Sequence, residues 1–242
     1  MISIVIPTYN EEKNIVRCLK ALNNQTIPRD KIEIIVVDGN SRDRTREYAS
    51  GLADRVILQR SEGIGGARND GFKASRYGIV ATTDADCEPH EKWVESILQK
   101  FENPQVVAIT GPLKPFDWKD MNWLEIRVYK TLFEVANLML MIMSIFGQYH
   151  LCGANSAFRK TEFLDIGGYL PLAYADDVEI FKRIKKRGEV RLSGDMQINY
   201  SVRRIKKIGL INYFFLILKM DAEIMVLGKQ PLNNSYARMN YD

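Results

Sequence analysis

The sequence predicts an α/β fold in which helices flank a mostly parallel, Rossmann-like central sheet. Short runs of apolar, often β-branched residues alternate with segments whose apolar residues recur at helical spacing. Polar or acidic residues follow three of these runs directly. Because strands alternating with helices of this length are joined by right-handed crossovers, neighbouring strands are expected to be parallel.

The elements of the first half follow one another in a regular order. Strands are predicted at Ile2–Ile6, Ile32–Val37, Arg55–Gln59, Ile79–Thr83 and Val106–Thr110. Helices are predicted from Ile15, from Arg44, over Gly65–Ser75 and over Glu91–Phe101. In such sheets ligands bind at the carboxyl ends of the strands. The polar residues after the first, second and fourth strands are therefore expected to meet at one edge.

The pattern changes in the second half. Lys114–Asp120 indicates a loop, and Leu124–Phe146 is rich in Leu, Met and Ile but too interrupted for a comfortable membrane span. A second apolar run, Ile208–Leu218, follows the basic Arg203–Lys207. We expect apolar helices here, with at least one in contact with a membrane surface. A buried core helix and an oligomer interface are the alternatives.

Composition sets the broad class. With 242 residues the chain is predicted to hold a catalytic domain at 1–190 and a helical extension at 191–242. A net charge of +4 does not indicate a nucleic acid partner. Three widely spaced cysteines predict a reduced, cytoplasmic chain without disulfides or a zinc site. The first residues lack the basic region of a signal peptide, in keeping with that location.

The most informative motif is Asp84-Ala85-Asp86, at the end of the fourth strand. Mg²⁺ and Mn²⁺ take oxygen ligands and are often held by one or two carboxylates together with substrate phosphates. Asp is also common wherever strands end in turns, so the motif alone is a weak signal.

The two other strand ends carry weaker motifs. After the first strand, Asn10 suits a helix N-cap, which does not exclude ligand contact by the same loop. After the second strand, Asp38 can accept a hydrogen bond from a base N–H or a ribose hydroxyl. The alternative is a turn with Ser41 as helix cap, for which Asp38 is not needed. Gly63–Gly71 does not match a dinucleotide-binding fingerprint. It can still present N–H groups and Arg68 to a phosphate or to the Asp pair. The alternative is a flexible loop and a packed helix.

Taken together, these blocks resemble family 2 glycosyltransferases of the GT-A fold. The matching blocks are IVIPTYNEE, VVDGNSRDRT, GGARNDGFKAS, TTDADC, CGANSAFRK and GGYLPLAYADDVEIFKRIKKRG, in that order, within residues 1–190. The resemblance implies a nucleotide-diphospho-sugar donor linked to UDP or GDP, a divalent metal (Mn²⁺ or Mg²⁺), and inversion at the anomeric carbon.

The same resemblance implies roles for single residues on the donor side. Pro7, Tyr9 and Glu11 would line the nucleoside pocket, and Asp38 would contact the base. Arg68 would lie near the pyrophosphate and the Asp84–Asp86 pair. Asp84 would contact the ribose side, and Asp86 would ligate the metal. Arg203 and Arg204 are expected to clamp the diphosphate. The alternative for these two arginines is a solvated or lipid-facing charge run.

On the acceptor side, the resemblance implies that Asp177 is the general base and Asp176 its neighbour. The family pattern has Glu-Asp at this place, so the change to Asp176 puts the role of the neighbour in doubt, and the assignment is ambiguous by one residue. Gly153 would allow close backbone approach and Asn155 would bond a sugar hydroxyl; a simple turn before a strand is the alternative.

The predicted function is inverting sugar transfer to a lipid-linked or glycan acceptor at the inner face of the cell membrane. Synthesis of a polyprenyl-phosphate sugar is a narrower alternative. The Gln-x-x-Arg-Trp block of processive synthases is absent from the sequence, which argues against a polysaccharide synthase. A nucleotidyltransferase fits poorly, because Pro7–Glu12 lacks the Gly and the basic residue of its loop. A catalytically silent sugar- or lipid-binding module is the third hypothesis.

Overall fold

The computed structural model describes residues 1–119, 121–145, 151–172, 176–209 and 212. The strands in this part of the chain are β1 (Ile2–Thr8), β2 (Ile32–Asp38), β3 (Arg55–Leu58), β4 (Ile79–Thr82), β5 (Cys87–Pro89), β6 (Val106–Thr110), β7 (Leu113–Phe116), β8 (Ser156–Arg159), β9 (Glu189–Leu192) and β10 (Ile198–Ser201). The helices are α1 (Ile15–Asn23), α2 (Thr45–Ser50), α3 (Gly63–Ala74), α4 (Trp93–Lys100), α5 (Trp123–Ile145), α6 (Lys160–Asp165), α7 (Asp176–Ile184) and α8 (Arg203–Ile208).

The main sheet has the strand order β3-β2-β1-β4-β8-β6-β9 within the described residues. All neighbouring pairs are parallel except those of β8, which runs antiparallel to both β4 and β6. The predicted mostly parallel sheet flanked by helices is therefore confirmed.

Helices cover both faces of this sheet because successive side chains of a strand point to opposite faces. In β1, Ile4 and Ile6 pack into the cluster that holds α1 and α4, whereas Val5 packs into the cluster that holds α3, α6 and α7. Strands buried on both faces have continuous apolar runs, which is why β1 and β2 were recognisable from sequence.

A smaller sheet has the order β5-β10-β7 in the described part of the chain. Its strand β7 occupies Leu113–Phe116, so the prediction that Lys114–Asp120 is a loop is wrong for its first residues. The partner of β7 is β10, some 80 positions further along, and a four-residue strand with so distant a partner leaves little local pattern.

The predicted division at residue 190 falls inside β9. Beyond it, β10 pairs with β5 and β7, so the chain up to Ser201 is built into the sheets. Of the predicted helical extension, α8 and residues 209 and 212 are described; the rest, including most of the apolar run Ile208–Leu218, lies outside the described residues. The division into two domains stays a prediction.

Helix α5 carries the first predicted apolar run, and much of its apolar surface is exposed. The exposed large apolar residues on it are Trp123, Leu124, Val128, Leu132, Val135, Leu138, Met139, Met141, Ile142 and Ile145. A core helix is therefore the wrong interpretation for most of this segment. Among the described helices, none combines the length and apolarity that crossing a membrane requires.

Candidate functional site

The loops after β1, β2 and β4 meet at the carboxyl edge of the main sheet, as predicted. The Asn10 N–H donates to the Ser41 hydroxyl at 2.9 Å, and the Glu11 N–H donates to the Thr45 hydroxyl at 2.7 Å. The Thr83 N–H at the end of β4 donates to the Val5 carbonyl of β1 at 3.2 Å. The backbone of three separate segments thus forms one rim, from which the polar side chains project.

The prediction that Asn10 caps a helix is wrong. Asn10 has a φ of +54°, and its side-chain oxygen accepts from the Arg42 N–H at 2.9 Å. Helix α1 begins later, at Ile15. Asn10 therefore joins the first loop to the second. Tyr9 is half-buried beside it, and Pro7 is buried at the end of β1, beyond the residues that pair with β4.

Asp38 holds the loop after β2, contrary to the expectation that the turn does not need it. Its fully buried carboxylate accepts from the Ser41 N–H at 3.0 Å and from the Ser41 hydroxyl at 2.5 Å. Ser41 does not cap α2, which begins at Thr45. Contact between Asp38 and a base stays a prediction, because each carboxylate oxygen can accept more than one hydrogen bond.

Arg203, the first residue of α8, joins two of the predicted donor-side carboxylates. Its Nε donates to Asp86 at 2.9 Å, and its Nη2 donates to Glu11. Burial raises the pKa of Asp86 to about 6; Arg203 lowers it, while Asp84 and Glu11 raise it. Arg203 therefore faces two carboxylates at once, Asp86 and Glu11. The side chain of Arg204 lies outside the described ones, and its role stays a prediction.

The donor set suits a hard cation that a substrate helps to hold. Asp86 supplies carboxylate oxygens, with those of Glu11 on the same arginine, and oxygen is the ligand that Mg²⁺ and Mn²⁺ favour. The described residues contain no group of three or more His, Cys, Asp or Glu side chains placed to bind a metal. A cation at Asp86 would thus rely on phosphate oxygens and water, as Mg²⁺ commonly does in nucleotide sites.

Arg68 of α3 lies at the centre of the site and is only 3% exposed. Its Nη2 donates to Asp84 at 3.0 Å, and its Nη1 donates to Asp176 at 3.2 Å. Burial lowers the pKa of the guanidinium, but Asp84 and Asp176 raise it, and the net direction is upward. Burial also raises the pKa of Asp176, an effect that Arg68 opposes and that Asp177 strengthens.

The two predicted acceptor-side carboxylates have different partners. Both begin α7, as the sequence predicted. Asp176 pairs with Arg68, whereas Asp177 accepts from the Val178 N–H at 2.9 Å. Asp176, the neighbour of the predicted base, therefore forms an ion pair with Arg68. Sequence reasoning did not find this pair.

Asn155 does not face an acceptor, and the predicted bond to a sugar hydroxyl is wrong for this structure. The side chain is fully buried. Its oxygen accepts from Trp93 Nε1 at 2.8 Å, and its nitrogen donates to the carbonyls of Pro112 at 3.0 Å and Met196 at 2.8 Å. Gly153 does allow a close approach, but of a side chain: an added Cβ would lie 2.7 Å from both terminal nitrogens of Arg68.

Sequence reasoning missed Tyr169. This tyrosine is 2% exposed, and its ring centroid lies 5.5 Å from the guanidinium carbon of Arg68. Its hydroxyl has no hydrogen-bond partner among the described residues, and burial raises its pKa. The signal available was an aromatic residue within the block GGYLPLAYADD, but nothing local connects that residue with Arg68.

Comparison with known proteins shows which family this chain belongs to. Residues 3–167 match the family model described as glycosyl transferase family 2. The glycosyltransferase AglE of Haloferax volcanii is 40% identical over 116 residues, which cover 46% of this chain and 38% of that protein. The amylovoran biosynthesis glycosyltransferase AmsE of Erwinia amylovora is 28% identical over 78% of this chain and 71% of that protein. Chondroitin synthase of Escherichia coli is 34% identical over 54% of this chain but only 20% of its own length.

Solved structures show the same fold. TarS 1–349 of S. aureus in complex with UDP-GlcNAc has a TM-score of 0.63 at 17% identity, over 83% of this chain and 58% of that one. The mannosyltransferase PcManGT of Pyrobaculum calidifontis, in complex with GDP-Man and Mn²⁺, has a TM-score of 0.65 at 23% identity, over 90% of this chain and 64% of that one. The predicted GT-A fold is confirmed. Because the family model spans most of the chain, including the Asp84-Ala85-Asp86 edge, the protein belongs to glycosyltransferase family 2.

Proposed function

We propose that the protein transfers a sugar from a nucleotide-diphospho-sugar to a lipid-linked or glycan acceptor, with inversion at the anomeric carbon. The observation that carries the proposal is that Arg68 binds one member of each of two carboxylate pairs, Asp84 of the pair with Asp86 and Asp176 of the pair with Asp177. The relatives' names support glycosyl transfer. The chain spans only 38% and 20% of the length of two of these relatives, so the substrate and the activity of the whole protein are proposals.

On the donor side, the nucleoside lies against Pro7, Tyr9, Glu11 and Asp38, and the diphosphate lies beside Arg203 and Asp86. The positively charged side chain of Arg203 lies at this place, with its Nε 2.9 Å from a carboxylate oxygen of Asp86. Asp86, together with the diphosphate, would hold Mn²⁺ or Mg²⁺, and the bound ion would stabilise the negative charge that the leaving nucleoside diphosphate gains. The Mn²⁺ and GDP-Man of the solved mannosyltransferase support this assignment.

On the acceptor side, Asp177 takes the proton from the acceptor hydroxyl as its oxygen attacks the anomeric carbon. The bond from that carbon to the diphosphate breaks in the same step, which inverts the configuration. Asp176 is less suited to this role, because its carboxylate is engaged with Arg68 at 3.2 Å.

A panel of UDP- and GDP-sugars tests the proposal. We expect one donor class to raise the melting temperature in the presence of Mn²⁺, because a ligand that binds only the folded state stabilises it. Asp86→Ala should lose the Mn²⁺-dependent part of this shift. Asp177→Ala should keep it but release nucleoside diphosphate at least about 100-fold more slowly, which is the usual contribution of a general base. The control is Asp30→Ala, an exposed carboxylate beside the start of β2. A flat response to every donor, or full turnover in both variants, would contradict the proposal.

We further propose that α5 brings the protein to the cytoplasmic face of a membrane, where a lipid-linked acceptor lies. Its apolar residues are exposed, and basic side chains accompany them at Arg127 and Lys130 and at Lys206 and Lys207 of α8. Helix α8 packs on α5 through Ile205 and Tyr129, so the apolar and basic surfaces are adjacent. Apolar surface beside positive charge is what an interfacial helix on anionic lipid requires.

Sedimentation with vesicles tests the membrane contact. We expect binding to vesicles that contain phosphatidylglycerol and weaker binding to pure phosphatidylcholine. Replacing the exposed Leu138 and Met139 by glutamate should abolish sedimentation, whereas Leu58→Glu, an equally exposed residue on β3, should not. A concentration-dependent dimer that the α5 variants dissociate, with no vesicle binding, would favour the oligomer interface instead.

A further inference from the structure

We propose that Arg68 couples the two halves of the site, so that a change at the acceptor-side Asp176 alters how tightly the donor side holds a nucleoside diphosphate. Arg68 acts as a positioning residue, through the two carboxylates that it binds. The inference rests on the proposed function, since it assigns Asp84 to the donor side and Asp176 to the acceptor side.

The first argument is the geometry of the guanidinium. Asp84 follows β4, Asp176 begins α7, and Arg68 reaches both from α3. It uses Nη2 for Asp84 at 3.0 Å and Nη1 for Asp176 at 3.2 Å. Because the fork of a guanidinium is planar and rigid, two carboxylates bound to its two ends are fixed relative to each other. A lysine, whose ammonium is a single point charge, lacks that fork.

The second argument is that the guanidinium is enclosed on two sides. An added Cβ at Gly153 would lie 2.7 Å from both terminal nitrogens and 2.8 Å from the carbon between them. On another side the ring of Tyr169 lies 5.5 Å from that carbon. Gly65 brings the backbone of α3 close to the Asp176 carboxylate, since a Cβ there would be 3.3 Å from its Oδ2. Gly153 and Tyr169 therefore confine the guanidinium, and any side chain at position 153 would displace it.

The third argument is the charge balance. One buried positive charge is shared between two carboxylates, so neutralising one leaves more of that charge to the other. Asp176→Asn would leave Arg68 to Asp84 alone and make the donor side more positive. We therefore expect Asp176→Asn to bind a nucleoside diphosphate more tightly and to transfer more slowly. If Asp176 only supported the fold, its replacement would weaken both nucleotide binding and sugar transfer.

Calorimetric titration with UDP and with GDP, each with Mn²⁺, tests the coupling. We expect Asp176→Asn to lower the Kd of whichever nucleotide the wild type binds by about fivefold or more, the usual lower range of coupling between sites. In the Arg68→Lys background the same change should alter Kd much less, because lysine keeps the charge but lacks the fork that joins the two carboxylates. Gly153→Ala keeps the arginine but displaces its head, and it should also reduce the effect of Asp176→Asn.

The matched control is Glu179→Gln. Glu179 also lies on α7 and also forms an ion pair with an arginine, Arg183, at 2.5 Å. The substitution removes the same charge from the same helix without touching Arg68. The Kd of the nucleotide should therefore stay within about twofold of the wild-type value, below the usual range of coupling between sites. If Asp176→Asn changes Kd equally in the wild-type and Arg68→Lys backgrounds, or no more than Glu179→Gln does, the proposal is overturned.

A urea unfolding cycle keeps the inference testable without a ligand. We expect the midpoint shifts of Asp84→Asn and Asp176→Asn to be non-additive with Arg68 present and additive in Arg68→Lys. Binding of neither UDP nor GDP by the wild type would count against the proposed function. Additive shifts with Arg68 present would overturn the coupling, whatever the nucleotides do.

Discussion

Replacing Asn155 by alanine removes a buried amide that ties three parts of the fold together. The amide meets Trp93 of α4, the carbonyl of Pro112 just before β7, and the carbonyl of Met196 just before β10. Because the side chain is fully buried, water cannot take its place without a rearrangement of the core. If this structural role is correct, the variant is destabilised whether or not any acceptor is present.

The size of the loss follows from the bonds that disappear. Three hydrogen bonds at about 1 kcal/mol each, with the buried Trp93 N–H left unsatisfied, give a loss of about 3–5 kcal/mol in the free energy of unfolding. That is a large part of the ~5–15 kcal/mol that stabilises a typical domain. With a slope of about 3 kcal/mol/M in urea, the unfolding midpoint falls by about 1–1.7 M.

Urea unfolding followed by tryptophan fluorescence measures this loss. The control is Asn23→Ala, because Asn23 is exposed yet also makes three hydrogen bonds, with Leu19, Leu52 and Arg29. We expect the control to lose less than about 1 kcal/mol, since water replaces those bonds. Equal losses in the two variants would refute the reasoning.

A second substitution at the same position gives a pH dependence. Asn155→Asp keeps the oxygen that accepts from Trp93. It replaces the side-chain nitrogen by a second oxygen, which then faces the carbonyls of Pro112 and Met196. Burial and those carbonyls raise the pKa of the introduced carboxyl in the folded state. The folded protein then binds more protons than the unfolded chain, so the stability of the variant relative to wild type rises as pH falls from 8 to 6. Relative stability that falls over this range would contradict the prediction.

Three further predictions concern other parts of the chain. The three cysteines should react slowly with a thiol reagent at pH 8 until urea unfolds the protein. The reason is that burial raises the pKa values of their thiols, that of Cys152 to about 12. Rapid reaction of the native protein would contradict this prediction. Gly71→Ala should cost roughly 1–3 kcal/mol or more by overpacking, because its Cβ would lie 2.2 Å from Val5 in β1, and urea unfolding measures the loss. Gly51→Ala should leave the urea midpoint unchanged or raise it slightly, because nothing lies within 4 Å and its φ of −84° suits alanine.

Local sequence was sufficient for elements whose signal is local. The apolar runs of β1 and β2 and the spacing of Ile15, Cys18, Leu19 and Leu22 placed strands and a helix close to where they lie, because each pattern follows from the burial of its own element. It failed for β7, whose pairing with β10 is non-local. It also failed for Asn10, whose side chain bonds the loop after β2 rather than a helix of its own.

The same limit applied to the polar residues of the site. Asn155 has a side chain that suits either a ligand or a buried network, and only the contacts with Trp93, Pro112 and Met196 distinguish the two. Likewise Arg203 lies in a run of basic residues that could be solvated, until the fold brings it to Asp86 and Glu11.

The sequence by itself determined the α/β class, the parallel order of the first strands, and the meeting of three polar loops at one edge. These follow from periodicity and chain direction, which are properties of neighbouring residues. The partner of each charge was decided only by the tertiary structure. Asp84 and Asp176 are 92 positions apart, and they share the guanidinium of Arg68 because β4, α3 and α7 pack around it. Charge pairing depends on the distance between side chains in space, and that distance is set only when the chain folds.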